Sequence, residues 1–310
     1  MLNKRQFTTP SAENTNSVDK MPVWIPGSEE RILVLAPHPD DEILAAGGVI
    51  ATCHKAHPSI KIRVAVATNG DASYATAFFH SSHAFSKRHF QDIAVVRQQE
   101  SLSALIFLGL RLEQVRFWGF PDRGLSPIWQ RYWDTHQPYR SPTTGFDRSE
   151  QALNSPVTQY AGMSLLRLIQ EELTAFQPTT IILPHPQDAH SDHRALANFT
   201  LLAAGIHYSQ HQQKSPKLLA YLMWTGNKFW LTGARSYEVA DKIDAKNSLQ
   251  VKWQRLLLSP EIQAQKVLAL KCYRSQNFSA GQLLQDSANS AQENFISLRP
   301  YDIAAERQSC

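Results

Sequence analysis

Two short stretches of this chain concentrate the residue types that hold metal ions and move protons: APHPDDE, Ala36 to Glu42, and PHPQDAHSDHRAL, Pro184 to Leu196. The first carries His38, Asp40, Asp41 and Glu42; the second carries His185, Asp188, His190, Asp192 and His193. Imidazole nitrogens and carboxylate oxygens are the usual ligands of zinc and of neighbouring divalent cations. His38 and Asp41, three apart on a tight turn, can point at one ion while Asp40 between them points at its water. A Pro-Asp-Asp turn is also an ordinary helix cap, since Asp is favoured there and Glu42 suits a first helical turn. A cap needs one acid, however, and this turn supplies a histidine and three acids. Three histidines and two aspartates within nine residues of the second stretch are equally hard to assign to packing, because unpaired buried imidazoles and carboxylates cost free energy.

Rigid elements must aim these groups, and each cluster follows a run that reads as a short buried strand. Ile32 to Ala36 precedes the first and Thr179 to Leu183 the second. Pro37 and Pro39, then Pro184 and Pro186, forbid continuation of the ladder. Both clusters are therefore expected at carboxyl ends of buried strands, where open α/β sheets bind their ligands.

Further strands are expected over 62–67, 115–118 and 218–224, and helices over 43–54, 90–108, 162–176, 195–206 and 259–273. Gly47 and Gly48 suit close packing of the first helix on the sheet, and Gly109 suits a C-cap. Arg97 and Glu100, three apart on the second helix, are read as a surface pair. The alternation predicts an α/β, Rossmann-like fold: a mostly parallel sheet with helices on both faces and the active site at the carboxyl ends of the strands. Right-handed crossovers then bring His38 and His193 to one rim. The aromatic-rich segment SPIWQRYWDTHQPYRSPTTGF reads as a long aperiodic loop, either a lid over the rim or a packed satellite cluster.

The 310 residues, 43% hydrophobic and 19% charged, describe a folded chain. Its net charge of +4, from 31 basic and 27 acidic residues without a block, argues against a nucleic-acid partner. No apolar run approaches the roughly 20 residues of a membrane span, and the polar first segment lacks the apolar core of a secretory signal. Cys53, Cys272 and Cys310 are odd in number and irregularly spaced, which fits reduced thiols and a cytoplasmic location.

APHPDDE followed far downstream by HSDHRA resembles the LmbE-like, or PIG-L, de-N-acetylase family. Similar landmarks follow in family order: TNGD at Thr68 to Asp71, RQQESLSALIFLG at Arg97 to Gly109, FPD at Phe120 to Asp122, YRSQ at Tyr273 to Gln276, and the ENF near the end. The resemblance implies a single domain over 29–310 behind a polar tail, 1–28, with an insertion at about 126–160 that has no family counterpart. It further implies a divalent metal, zinc or else iron(II) or another cation, and hydrolysis of an N-acetyl group from a small-molecule glucosamine-type conjugate. By the same resemblance Arg97 contacts substrate hydroxyls and Asp122 is a sugar-hydroxyl ligand. Trp129, in the insertion, offers an aromatic face to a sugar ring.

Amide hydrolysis needs an activated water, a polarised carbonyl and a proton for the departing amine. His38, Asp41 and His193 are the expected metal ligands, leaving a position open. Asp40 is the expected base that activates the water, His190 when protonated the group that stabilises the oxyanion, and Asp192 an orienting carboxylate. Either Asp40 or His190 serves as the proton donor. Some family members carry a tyrosine where this chain has Asp188, so a role for that tyrosine does not transfer. The alternatives are a metal hydrolase of another ester or phosphoester, and a non-catalytic carbohydrate-binding relative. The aglycone, the metal and homo-oligomer formation are left open by the sequence.

Overall fold

The computed structural model describes residues 21–56, 59–73, 86–211, 215–225, 228–229, 252–276 and 290–298. A seven-stranded sheet forms its centre, in the order β3-β2-β1-β4-β5-β9-β8. The strands are β1 (Arg31–Ala36), β2 (Lys61–Thr68), β3 (Val115–Phe120), β4 (Thr180–Pro184), β5 (Lys217–Tyr221), β8 (Lys252–Leu257) and β9 (Gln292–Leu298). The pairs from β3 to β5 are parallel, whereas β9 joins β5 and β8 antiparallel. A separate hairpin pairs β6 (Trp224–Thr225) with β7 (Lys228–Phe229).

The helices are α1 (Asp41–Ala56), α2 (Lys87–Phe107), α3 (Leu125–Arg131), α4 (Gly162–Phe176), α5 (Ser191–His211) and α6 (Pro260–Leu270). Alternation along β1 explains their division between the faces. Ile32, Val34 and Ala36 pack with apolar residues of α1, α2 and α6, while Leu33 and Leu35 pack with those of α3, α4 and α5. These five residues of β1, Ile32 to Ala36, are fully buried, as a central parallel strand requires. Among the described residues no helix is long and apolar enough to cross a membrane.

The chain builds β1, β2 and β3 outward in one direction, then returns to place β4 on the other side of β1. The switch in strand order therefore lies between β1 and β4, and the crevice outside their carboxyl ends is the expected ligand site of such a sheet. Both clusters begin there, at Pro37 and at His185.

Several expectations are corrected. Strand 218–224 ends at Tyr221, because the N–H groups of Met223 and Trp224 turn to the Asp188 carboxylate, at 2.8 and 3.1 Å. The insertion is not aperiodic throughout: it opens with α3, where Pro127 lies in the first turn and its missing N–H costs nothing. Arg97 and Glu100 do not form a surface pair: Arg97 is 4% exposed, and Glu100 instead accepts Ser275 N–H and Oγ–H at 2.7 and 2.6 Å. Met21 and Trp24, at the end of the segment read as a tail, are buried, and Trp24 N–H donates to Arg255 O at 2.7 Å beside β8.

Candidate active site

The turn after β1 sets the first cluster. Asp40 has φ 128, outside the regions L residues favour, and its carbonyl accepts the N–H groups of Ile43 and Leu44 at 3.1 and 2.9 Å to start α1. Asp41 is thereby the first residue of α1, and its carboxylate turns back to accept His38 N–H at 3.0 Å. The same oxygen, Oδ2, lies 3.0 Å from His38 Nδ1 and 3.2 Å from His193 Nε2. One buried carboxylate oxygen thus stands between two buried imidazoles.

The second cluster is arranged by two aspartates. Asp188, fully buried, accepts N–H groups from His190, Met223 and Trp224 and lies 3.3 Å from His193 Nδ1. Asp192, also fully buried, accepts the N–H groups of Arg123 and Leu125 at 2.5 and 3.1 Å, which ties the start of α3 to α5. Its Oδ2 is 3.3 Å from His38 Nε2, and Asp122 Oδ1 is 3.2 Å from the same nitrogen. The Asp192 carboxylate therefore faces His38, while its backbone N–H donates to His190 Nδ1 at 3.3 Å. That bond leaves Nδ1 an acceptor, so a neutral His190 carries its proton on Nε2.

The electrostatics follow from this crowding. Burial opposes charge on His38, but Asp122 foremost, with Asp192 and Asp41, holds its imidazole well above the ordinary histidine value. Against the same cost of burial, Asp41 and Asp188 push His193 up to about 10. The two imidazoles in turn hold Asp41 well below the usual carboxylate range. His190 behaves oppositely: burial, with His38 and His193 beside it, pushes it down to about 4, so it rests neutral. Burial pushes Asp40 up to about 7 against the pull of Arg97, and Asp41 and Glu42 add to the rise.

These residues fit a divalent cation. Ligand atoms of His38, His190 and His193 lie within 4.8 Å of one another, as do those of His38, Asp122 and Asp192. Both ring nitrogens of His193 are buried and, among the described residues, make no hydrogen bond, since the contacts at 3.2 and 3.3 Å lack the geometry for one. Orphaned buried nitrogens beside carboxylates are a metal-type environment. A cation held here would supply the positive charge that these buried carboxylates favour on the neighbouring imidazoles. His185 stays apart from both groups, its Nδ1 accepting Gln187 N–H at 3.1 Å and its imidazole pushed down to about 4 by burial.

The remaining expected residues surround this centre. Asp122 stands at its edge, its backbone N–H donated to the buried Asp71 carboxylate at 2.8 Å. Arg97 lies beneath the turn, bonded to Pro39 O, Gly70 O and the Asp40 carboxylate. Trp129 packs edge-to-face on the fully buried Phe199, with ring centroids 4.8 Å apart, and against Trp133 at 5.3 Å. From the same insertion Thr143 Oγ1 donates to Asp71 Oδ2 at 3.4 Å, so the segment is built into the wall beside Asp122.

Sequence reasoning undervalued Glu42 and Asp188. Glu42 is fully buried and accepts hydroxyl protons from Ser101 and Tyr273 and the N–H of Asp40. Ser101 and Tyr273 both lie in sequence landmarks, and their convergence on Glu42 gives those landmarks a physical reason. Asp188, five residues before His193, offered a signal in its spacing alone.

The chain matches the sequence profile of the family described as PIG-L: GlcNAc-PI de-N-acetylase over residues 33–204. None of the curated proteins compared matches it. Among solved structures, a conserved protein from Thermus thermophilus is 19% identical, with 87% of this chain and 95% of that one covered and a TM-score of 0.52. The N,N'-diacetylchitobiose deacetylase of Pyrococcus horikoshii is 13% identical, covering 87% and 84%, also with a TM-score of 0.52. A 4-carboxy-2-hydroxymuconate hydratase from Pseudomonas putida is 14% identical, covering 87% and 97%, again at 0.52. At these identities the likeness is one of fold.

Proposed function

Because the chain belongs to the PIG-L family of de-N-acetylases, we propose that it removes the N-acetyl group from an N-acetylglucosamine-type conjugate. The family and the gathered histidines and aspartates support a metal-dependent, deacetylase-like hydrolase. The proposal adds the amino-sugar substrate, zinc as the metal, and a role for each residue. The observation that carries it is the Asp41 oxygen between His38 and His193, with the Asp40 carboxylate on the adjoining residue.

His38, Asp41 and His193 would hold the ion, and Asp188 and Asp192 would orient the two imidazoles. A bound divalent cation supplies Lewis acidity, polarising the acetyl carbonyl and acidifying water. Asp40 takes the proton of the attacking water as the water oxygen bonds to the acetyl carbon. A carboxylate pushed up to about 7 is matched to accepting and returning a proton near neutrality. As the C–N bond breaks, Asp40 returns that proton to the departing amine. His190, neutral with its proton on Nε2, donates a hydrogen bond to the developing oxyanion without being charged beforehand. This modifies the expectation of a protonated His190. Asp122, at the edge of the cluster, accepts a sugar hydroxyl.

The location proposed is cytoplasmic, supported by the unpaired Cys53 and Cys272. The test is acetate release from a panel of N-acetylglucosamine conjugates by the zinc-reconstituted protein. Acetate from at least one conjugate is expected, and none from any N-acetylated amino sugar would refute the reading.

A further inference from the structure

We infer that Glu42 is a positioning residue for the proposed base, fixing the backbone from which the Asp40 carboxylate projects, and that Tyr273 locks Glu42 in place; the inference rests on the role proposed above for Asp40. The φ of 128 at Asp40 is strained for an L residue and persists only where the surroundings over-determine it. Two sets of contacts do so. The Asp40 carbonyl accepts the N–H groups of Ile43 and Leu44 at 3.1 and 2.9 Å, and the Asp40 N–H donates to Glu42 Oε2 at 3.0 Å. The peptide before Asp40 and the peptide after it are thus both pinned, which leaves the residue between them no freedom. The first turn of α1 supplies the N–H groups that pin the carbonyl, but the N–H is held only by an acceptor on a side chain that curls back from position 42.

Glu42 is placed for this task. It is 0% exposed, so no surface of it is open to a ligand. Its other oxygen, Oε1, accepts the hydroxyl protons of Ser101 and Tyr273. Ser101 lies on α2 and Tyr273 just beyond α6, both fully buried, so the carboxylate is held from two elements distant in sequence. A glutamate free to rotate would offer the Asp40 N–H an acceptor only part of the time. With Oε1 tied to two hydroxyls, Oε2 is presented at one place. An aliphatic side chain at position 42 would leave three buried donors, the Asp40 N–H and the two hydroxyls, without their acceptor. The consequence falls first on Asp40, whose backbone is the strained one.

The test compares zinc-loaded wild type, Tyr273→Phe, Glu42→Met, Glu42→Gln, Asp40→Asn and the Asp40→Asn, Glu42→Met double variant on a conjugate that the wild type deacetylates. Glu42→Met is expected to lower kcat at least about tenfold and Tyr273→Phe at least about threefold, each with KM within about twofold of wild type, as loss of an interaction made only in the transition state does. Zinc should stay at one ion per chain throughout. Glu42→Gln should recover most of the kcat lost in Glu42→Met, since its amide oxygen can accept the Asp40 N–H while the two hydroxyls turn to accept from its nitrogen. In the Asp40→Asn background, Glu42→Met should cost less than about twofold more, because residues acting as a unit are not additive. Amide hydrogen exchange of Tyr273→Phe, which keeps the ring in place, gives a readout that needs neither substrate nor the Glu42 variants. The Asp40 N–H should exchange at least about tenfold faster than in wild type while N–H groups in the middle of α1 keep their rates, a local loosening that general loss of stability does not produce. Absence of wild-type turnover would refute the proposed function, and the exchange rates would still decide the clamp. A raised KM at unchanged kcat, a Glu42→Gln variant as slow as Glu42→Met, zinc lost from Glu42→Met, kinetic losses that multiply, or an Asp40 N–H unmoved by Tyr273→Phe would each overturn the inference.

Discussion

Lys266 of α6 and Glu293 of β9 form an ion pair 2.6 Å long with both side chains at most 1% exposed. The pair is inserted into the backbone of α1. Lys266 Nζ donates to Leu44 O at 2.8 Å, while Glu293 accepts the N–H groups of Gly48 and Val49 at 2.7 and 2.9 Å. A Cβ at Gly48 would lie 2.9 Å from Glu293 Cδ and 2.4 Å from Leu258 Cδ2, so glycine is what admits the carboxylate. The pair fixes the helix that begins with Asp41 against the antiparallel end of the sheet.

Removing one partner leaves the other charge buried and unpaired. Lys266→Met is therefore expected to lower stability by about 3–5 kcal/mol. Lys266→Met combined with Glu293→Leu should lose less than Lys266→Met alone, because no charge is then left buried without its partner. Denaturant unfolding of the three proteins measures this, and a double variant less stable than Lys266→Met would contradict it.

Asp188 lies 3.3 Å from His193 Nδ1 and is itself held by three backbone N–H groups. Asp188→Asn keeps the shape and removes the charge that orients and polarises the imidazole. Zinc affinity, read by competition with a chromophoric chelator, should fall by about 10–100-fold, the usual cost of losing such a partner. Unchanged affinity would show that His193 needs no orienting carboxylate.

The parallel half of the fold and the two clusters were legible because their signals are local. Ile32 to Ala36 and Ile181 to Leu183 are uninterrupted apolar runs cut by prolines, and each cluster follows its run directly. The antiparallel end was not legible: KWQRLL and QENFISL mix polar and apolar residues with half-exposed positions and carry no strong period. Arg97 was misread for a related reason. Its partners Pro39 and Gly70 are 58 and 27 residues away, whereas Glu100, one turn along the helix, is the neighbour that sequence displays. The role of Asp188 likewise depends on Met223 and Trp224, which only the end of β5 brings near.

Trp129 and Trp133 pack on Phe199 as part of the core that includes α5. Trp129→Ala is accordingly expected to lower stability by about 1–3 kcal/mol. Its effect on kcat/KM should be the same for small and large glycosides. Weakened binding confined to large glycosides, with stability unchanged, would instead make the indole a substrate contact.

Asp40→Asn retains the shape of the side chain but is a far poorer proton acceptor. The variant is expected to bind one zinc ion per chain and to lose at least about 100-fold in kcat. Elemental analysis and acetate release on one preparation check both halves, and near-normal turnover would move the base elsewhere, with Glu42 the nearest carboxylate in sequence after the ligand Asp41.

His38, Asp41 and His193 are proposed to hold one divalent ion without which this chain cannot release acetate. This is tested most directly by titrating zinc into chelator-stripped protein while reading acetate release from an N-acetylglucosamine conjugate. Turnover should be absent at the start, rise in proportion to added zinc and level off at one ion per chain, and a His38→Ala, His193→Ala double variant should neither bind the ion tightly nor turn over. Full turnover by the stripped wild-type protein would show that no ion is needed, and a full complement of tightly bound zinc in that double variant would show that other residues hold it.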